Sequence, residues 1–195
     1  MSGALIVLSG PSGVGKGTVV SLATSLDPSI WIAPSMTTRK MRPNEDPFDE
    51  TSEISRSKAY LFVDDTTFQE TVESGGLIEW ATYAGNRYGT LRAPVETRLE
   101  AGLPVLLEIE VQGADSVIEH MPHAKRVMLM PPSFAELARR LSGRGTDSET
   151  AKRMRLAKAR SEMAQAPYYD HTIINDDASK AAEELVLYYR SWYVA

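Results

Sequence analysis

Five apolar residues, Ala4-Leu5-Ile6-Val7-Leu8, lead through Ser9 into Gly10-Pro11-Ser12-Gly13-Val14-Gly15-Lys16-Gly17-Thr18, and a helical stretch from Val19 to Leu26 follows. A continuous apolar run of that length suits a strand buried on both faces. The loop after it has the glycine, lysine and spacing of a phosphate-binding turn, and it lies between a strand and a helix, the context that such a turn requires. Glycines let successive backbone N–H groups converge on phosphate oxygens. The helix start adds partial positive charge, and Lys16 supplies a mobile cation. A glycine-rich turn that merely packs a helix onto a sheet is the bland alternative, and the lysine together with the context speaks against it. The loop points strongly to a nucleoside triphosphate and says little about its use. The strict pattern places Ser or Thr after the lysine, whereas this chain has Gly17 and then Thr18. Thr18 can still reach a phosphate. Mg²⁺ would be held by nucleotide oxygens and waters, with no direct protein ligand, as this ion tolerates.

The remaining elements extend that start into a layered fold. Leu103 to Val111 reads as a second buried strand, followed by a helix around Ala114 to His120. Arg126 to Met130 reads as a third strand, stopped by Pro131 and Pro132. Ser133 reads as the cap of a helix that runs to about Ser142, with Glu136 three residues on. His171 to Ile174 is a fourth strand, and Ala178 to Tyr193 a C-terminal amphipathic helix. Strands alternating with helices predict an α/β fold with a mainly parallel sheet flanked by helices. Residues 35–90, rich in Thr, Tyr, Gly and charge, break the rhythm and read as an inserted, more antiparallel subdomain. Residues 138–160 hold an arginine-rich helical flap, which leaves 1–34, 91–137 and 161–195 as the core of one 195-residue domain.

Composition narrows the function classes. A hydrophobic fraction of 43% against 24% charged residues is globular, not disordered. With no cysteine, disulfides, thiolate metal sites and cysteine nucleophiles are excluded, and a reducing compartment fits. A formal charge of −5 argues against nucleic acid as a partner. The apolar run at the start is too short for a signal or membrane segment, so a cytoplasmic protein is expected. His120, His123 and His171 lack metal-ligand spacing. Trp31, Trp80 and Trp192 read as packing residues.

Two further clusters carry chemistry. Ser35-Met36-Thr37-Thr38-Arg39-Lys40-Met41-Arg42-Pro43 sets two arginines three apart among hydroxyls. Guanidinium forks hold phosphate oxygens bidentately, so this cluster can take a second phosphate opposite the loop; a solvated basic turn is the alternative. Glu79-Trp80 and Gly85-Asn86-Arg87-Tyr88-Gly89-Thr90 set a carboxylate near small and hydroxyl-bearing residues. A buried Glu79 would accept from the two adjacent donors on guanine's Watson–Crick edge and meet a lone pair in adenine. Polar sites of this kind discriminate by ~10⁴–10⁵ when a partner is left unpaired.

The loop GPSGVGKGT, the S-x-TTR-x-x-RP segment, Y-x-FV, the E-W and GN-x-YGT block, LEIEVQGA, RRLSGRGTDSE and the late IINDD resemble guanylate kinase across nearly the whole chain. The resemblance implies a P-loop nucleoside-monophosphate kinase that moves the γ-phosphoryl group of Mg-ATP to GMP, with dGMP a second acceptor, giving ADP and GDP. Carried over by motif, Gly10, Pro11, Ser12, Gly13, Val14, Gly15, Lys16, Gly17, Thr18 and Asn175 would bind ATP. Arg39, Arg42, Tyr60 and Tyr88 would hold the GMP phosphate, and Ser35, Glu79 and Thr90 would face the base. Lys16, Arg140, Arg144 and Arg155 would carry catalytic positive charge. Glu110 would stand on the GMP side and Glu108 near the waters of Mg²⁺.

The chain departs from the family pattern at two places. Arg42 and Tyr60 are eighteen apart, roughly twice the family's usual separation, and the added residues include Glu45, Asp46, Asp49, Glu50 and Glu53. A longer surface loop is the expected reading, with a regulatory or partner-binding loop as the alternative. Glu110 stands where the family usually carries Asp, and activity is expected to be retained. Two other functions compete. Guanylate-kinase-like modules that bind peptides typically lack an intact phosphate loop, which this chain keeps. A P-loop kinase of another phosphorylated acceptor would not need Ser35 and Glu79. No N-K-x-D motif supports a GTPase switch.

Overall fold

The computed structural model describes residues 3–43, 45, 47–48, 59–83, 85–142 and 149–193. Strand β1 (Leu5–Ser9) enters the phosphate loop, and helix α1 (Lys16–Leu26) leaves it. Short strands β2 (Trp31–Ile32) and β3 (Ser35–Thr37) follow, then β4 (Tyr60–Phe62), helix α2 (Asp65–Glu73), β5 (Leu77–Tyr83) and β6 (Asn86–Leu91). Helix α3 (Arg92–Glu100), β7 (Val105–Glu108), α4 (Val111–His120), β8 (Lys125–Met130) and α5 (Phe134–Ser142) return the chain to the core. Helix α6 (Glu149–Met163), β9 (His171–Ile174) and α7 (Ala178–Tyr193) complete it.

Strands β2, β7, β1, β8 and β9 form, in that order, a five-stranded parallel sheet. All five residues of β1 are buried, and their alternation decides which layer each joins. Ile6 and Leu8 pack with Val19, Val20, Leu137, Ala182 and Leu185 on the side of α1, α5 and α7. Leu5 and Val7 pack with Val95, Ala114 and Val117 on the side of α3 and α4. A strand covered on both faces therefore reads as an unbroken apolar run, as expected. The sheet puts the loop after β1 at a carboxyl edge, where ligands of open α/β sheets bind.

A second sheet of four strands, ordered β4, β3, β6 and β5, is fed by residues 35–91. It is mixed: β3 pairs with β4 in parallel and with β6 antiparallel, and β5 and β6 form a hairpin. Its own core is small, with Met36, Phe68 and Leu77 fully enclosed. Trp80 is not a core residue; it is 46% exposed, with the Arg87 guanidinium lying 4.9 Å over its ring and 4.4 Å over Phe68. Trp31 is buried, and the side chain of Trp192 lies outside the described residues. The arginine-rich flap holds α6, while 143–148, including Arg144, fall outside the described residues. Ser133 caps α5 as expected, its Oγ accepting from the Glu136 N–H at 3.1 Å. No described helix is long and apolar enough to cross a membrane.

The two ends of the chain's core are tied by Asp27, which follows α1. Its carboxylate accepts from the Ser29 N–H and hydroxyl at 3.1 and 2.6 Å and from Arg190 of α7 at 2.9 Å. Burial pushes the Asp27 carboxyl up, but the bonds from Ser29 and Arg190 outweigh it and hold it below its ordinary 3.8. A carboxyl with a depressed pKa contributes stability above its unfolded value and loses that contribution as the pH falls through the folded one. Asp27→Asn is expected to cost about 1 kcal/mol at pH 7, the half-exposed Arg190 limiting the effect. Urea unfolding of both proteins should show the difference shrinking below pH 4. A difference that held constant down to pH 2 would exclude the linkage.

Candidate active site

The phosphate loop is shaped by two glycines in the left-handed region, Gly13 at φ 82° and Gly15 at φ 100°. Side chains with a Cβ seldom adopt that conformation. Gly15 is also the N-cap of α1 and brings no side-chain acceptor, which leaves the N–H groups of the first turn directed outward for a ligand. The underside of the loop is fastened. Val14 is buried, and its carbonyl accepts from Asn175 Nδ2 at 2.7 Å and from Arg140 Nη1 at 3.3 Å. Asn175, only 5% exposed, also donates its backbone N–H to the Met130 carbonyl at 2.7 Å and accepts from Arg140 Nη2 at 3.2 Å. Arg140 is completed by Glu136, whose carboxyl the hydrogen bonds of Arg139 and Arg140 hold at about 2. Lys16 curls back so that its ammonium donates to the Gly10 carbonyl at 2.6 Å.

Opposite the loop, register assembles a second wall. Tyr60 of β4 pairs with Ser35 of β3, Ser35 with Thr90 of β6, and Thr90 with Glu79 of β5. These four sequence-predicted residues thus form one continuous row across the small sheet, on a common face. A bulge between Leu77 and Glu79 brings the glutamate into that row, the usual work of a bulge beside a site. Glu79 is 8% exposed, and its Oε1 accepts from the Thr90 hydroxyl at 2.7 Å. Gly113 of α4 makes room for it: a Cβ there would stand 2.6 Å from Glu79 Oε2.

Between the walls lies a cleft of about 250 Å³. Lys16, Glu108 and Glu110 line its core side, and Ser35, Arg39, Arg42, Tyr60, Glu79 and Tyr88 line the other. Thr90 stands behind Glu79, Arg140 and Asn175 lie beneath the phosphate loop, and Arg155 is half-buried on α6 outside the cleft lining. Glu108 Oε1 would be 3.9 Å from a Cβ at position 17, so the acid at the end of β7 sits near the place of the missing hydroxyl. No group of three His, Cys, Asp or Glu among the described residues is arranged to hold a metal ion.

Glu45 does not behave as a surface acid. Its carboxylate takes Arg39 end-on, with Nη1 at 2.9 Å and Nη2 at 2.8 Å, and also accepts from the Arg42 N–H at 2.9 Å. Hydrogen bonds from Arg39 hold the Glu45 carboxyl below its ordinary value. The guanidinium of Arg39 lies 5.3 Å over Tyr60 and 5.4 Å over Phe62, so ring faces and an acid together fix its plane. The other added acids, Asp46, Asp49, Glu50 and Glu53, lie outside the described residues. Sequence reasoning missed Glu45 and Gly113, which contact the sequence-predicted residues Arg39 and Glu79. The i+3 spacing from Arg42 to Glu45 and the glycine inside LEIEVQGA were the available signals.

A parallel sheet with a phosphate loop facing an arginine- and acid-lined acceptor wall defines a P-loop phosphotransferase. The family model described as guanylate kinase matches residues 2–191. A guanylate kinase of Parasynechococcus marenigrum is 47% identical over 183 residues, which is 94% of this chain and 96% of that protein. One from Streptomyces coelicolor is 48% identical over 93% of this chain and 88% of its own length. The crystal structure of guanylate kinase from Anaplasma phagocytophilum superposes with a TM-score of 0.75 at 30% identity, covering all of this chain and 88% of that one. The chain belongs to the guanylate kinase family, and is thereby a nucleotide-binding enzyme of the kinase type.

Because the Val14 carbonyl is buried, removing its amide partner leaves an acceptor poorly satisfied, at a cost of about 1–3 kcal/mol. Asn175→Ala is expected to lower unfolding free energy by that amount in nucleotide-free protein, measured by urea denaturation. It should also weaken triphosphate binding measured by calorimetry. Unchanged values in both would show that the loop holds its shape without the clamp.

Proposed function

We propose that this enzyme transfers the γ-phosphoryl group of Mg-ATP to GMP, and to dGMP, in the cytoplasm, giving ADP and GDP. The observation that carries this reading is the row Ser35, Thr90 and Glu79, with a buried carboxylate acceptor aimed into the same cleft that Lys16 enters from the phosphate loop. Glu79 accepts from the guanine ring N–H and exocyclic amine, while the Thr90 hydroxyl steadies its Oε1 and Ser35 stands beside it. Arg39, Arg42, Tyr60 and Tyr88 receive the acceptor's phosphate. Glu45 fixes the end-on edge of Arg39 and leaves the Nε edge of the fork for that phosphate, a two-point contact. Residues Gly10 to Thr18 cradle the donor's phosphates, with Asn175 shaping the loop from below.

Two polyanions meet tail to tail in this cleft, and the transferred group's charge is spread over three oxygens. Positioning and fixed positive charge therefore do most of the catalysis, and no strong base is required. Lys16 exchanges the Gly10 carbonyl for a phosphate oxygen. Arg140, already at the loop, and Arg144 and Arg155 of the lid bring further charge. Residues 35–90 are the acceptor-binding subdomain and 138–160 the lid, and their closing over the core excludes water that would otherwise take the phosphoryl group. The residues present fit Mg²⁺ brought in with the nucleotide: Glu108 beside the open space over Gly17, and the exposed Thr18, offer oxygens to its waters. When bound, Mg²⁺ neutralises phosphate charge.

A peptide-binding module with this fold would not need the clamped loop or the buried Glu79, so the enzyme reading is favoured. Coupled ADP-release assays with GMP, dGMP, AMP, UMP and CMP as acceptors are expected to show turnover with the guanine pair alone. Turnover with none of the five would favour the protein-binding alternative. Glu79→Gln is expected to reduce kcat/KM for GMP by ~10²–10³, since one amide edge must then face a donor. Gly113→Ala tests the same pocket from behind. The helix itself gains from alanine, yet the KM for GMP should rise several-fold while that for ATP stays unchanged. Equal changes for both substrates would count against a guanine-specific role for Glu79.

A further inference from the structure

Glu110 is the N-cap of α4, but its carboxylate does not cap that helix. It reaches across to α6, where Lys158 Nζ lies 3.0 Å from Glu110 Oε2. The same ammonium is 3.4 Å from Glu162 Oε1 and 4.6 Å above the ring of Tyr83. Tyr83 and Glu110 both line the acceptor cleft. Glu162 is 7% exposed, and its Oε2 has no hydrogen-bond partner among the described residues. Arg155, Lys158 and Glu162 are spaced three and then four apart, so they share one face of α6. One ammonium thus serves two carboxylates on different elements and sits on an aromatic face of the cleft. Burial pulls the Lys158 ammonium's pKa down, but Glu110 and Glu162 outweigh it and keep it raised and charged.

We propose that Lys158 is a positioning residue that aims the Glu110 carboxylate at the acceptor and ties the Arg155-bearing helix to the acceptor wall. The proposal rests on the reading of the cleft as a GMP site and deepens it. Glu110 alone, at the rim of the cleft, has several rotamers open to it; pinned by Lys158, it has one. The tie also works in reverse. A displacement of α6 carries the ammonium away from Glu110, and an acceptor that engages Glu110 holds α6, and with it Arg155, in place. The length of Glu110 matters here, because an aspartate at this position falls short of Lys158 by one methylene.

The experiment is a double-mutant cycle on the full chain with Lys158→Met, Glu110→Gln and the double variant, with Lys158→Arg as the conservative control. Lys158→Met should raise the KM for GMP about tenfold, leave the KM for ATP within twofold, and be largely restored by Lys158→Arg. In the Glu110→Gln background the same substitution should change the KM for GMP less than twofold. A full tenfold effect in that background, or an unchanged KM in the single variant, would overturn the proposal. Urea unfolding of the four unliganded proteins gives a readout that does not depend on substrate, and coupling between the two positions is expected there as well. If the wild-type protein phosphorylated no guanine nucleotide, the proposed reaction would fail, while the tie would still stand or fall on coupling in unfolding; its absence would refute it.

Discussion

The N–H groups of the turn between β1 and α1 can point at a ligand only because the turn's buried carbonyl is satisfied from the other side. Val14 faces inward, and its oxygen is held by an amide at the end of β9 and a guanidinium on α5. These groups come from positions 175 and 140, far along the chain, so the loop takes its shape only when the parallel sheet is complete. The two left-handed glycines permit the shape, and the long-range contacts select it. Arg140 also joins the loop to Glu136, so helix α5 is braced against the underside of the loop.

The opposite wall is built on another principle. No single loop contributes it; four strands each place one residue in a row, and the row exists only in one register. Slipping any strand by one residue would turn its member to the other face. The bulge before Glu79 divides three neighbouring side chains among three environments: Leu77 joins the small sheet's core, Ile78 the main core, and Glu79 the cleft. This division lets one short strand serve as both structural joint and cleft wall.

Much of this was legible in the sequence where the signal is local. The β1–loop–α1 unit, the parallel strands and the terminal helix follow from apolar runs and glycine spacing, and family motifs named the members of the row before their register was known. What was not legible depends on partners distant in sequence. Glu45 reads as one acid among several until Arg39 is seen to grip it, and Lys158 reads as one more charge on a basic helix until Glu110 arrives from 48 positions away. Helix α3 escaped notice because only Val95 on it is buried, which leaves almost no periodic signal. Trp80, read as packing, does meet the buried Phe68 edge-on, but a strand on a thin sheet leaves much of its ring exposed, with an arginine over it. Helix α1 begins at Lys16, earlier than its apolar pattern announces, since the phosphate loop itself supplies the first turn.

The small sheet carries the whole row from Tyr60 to Glu79 on a core of three enclosed side chains, Met36, Phe68 and Leu77, whereas the main sheet rests on two broad apolar layers. Regions with few buried apolar contacts open at lower free energy than the body that supports them. Warming should therefore soften the two sheets in sequence, the thin one first. Over that interval the phosphate loop would keep its shape while the row facing it across the cleft had already lost its order, so the two walls of one cleft would have different melting points.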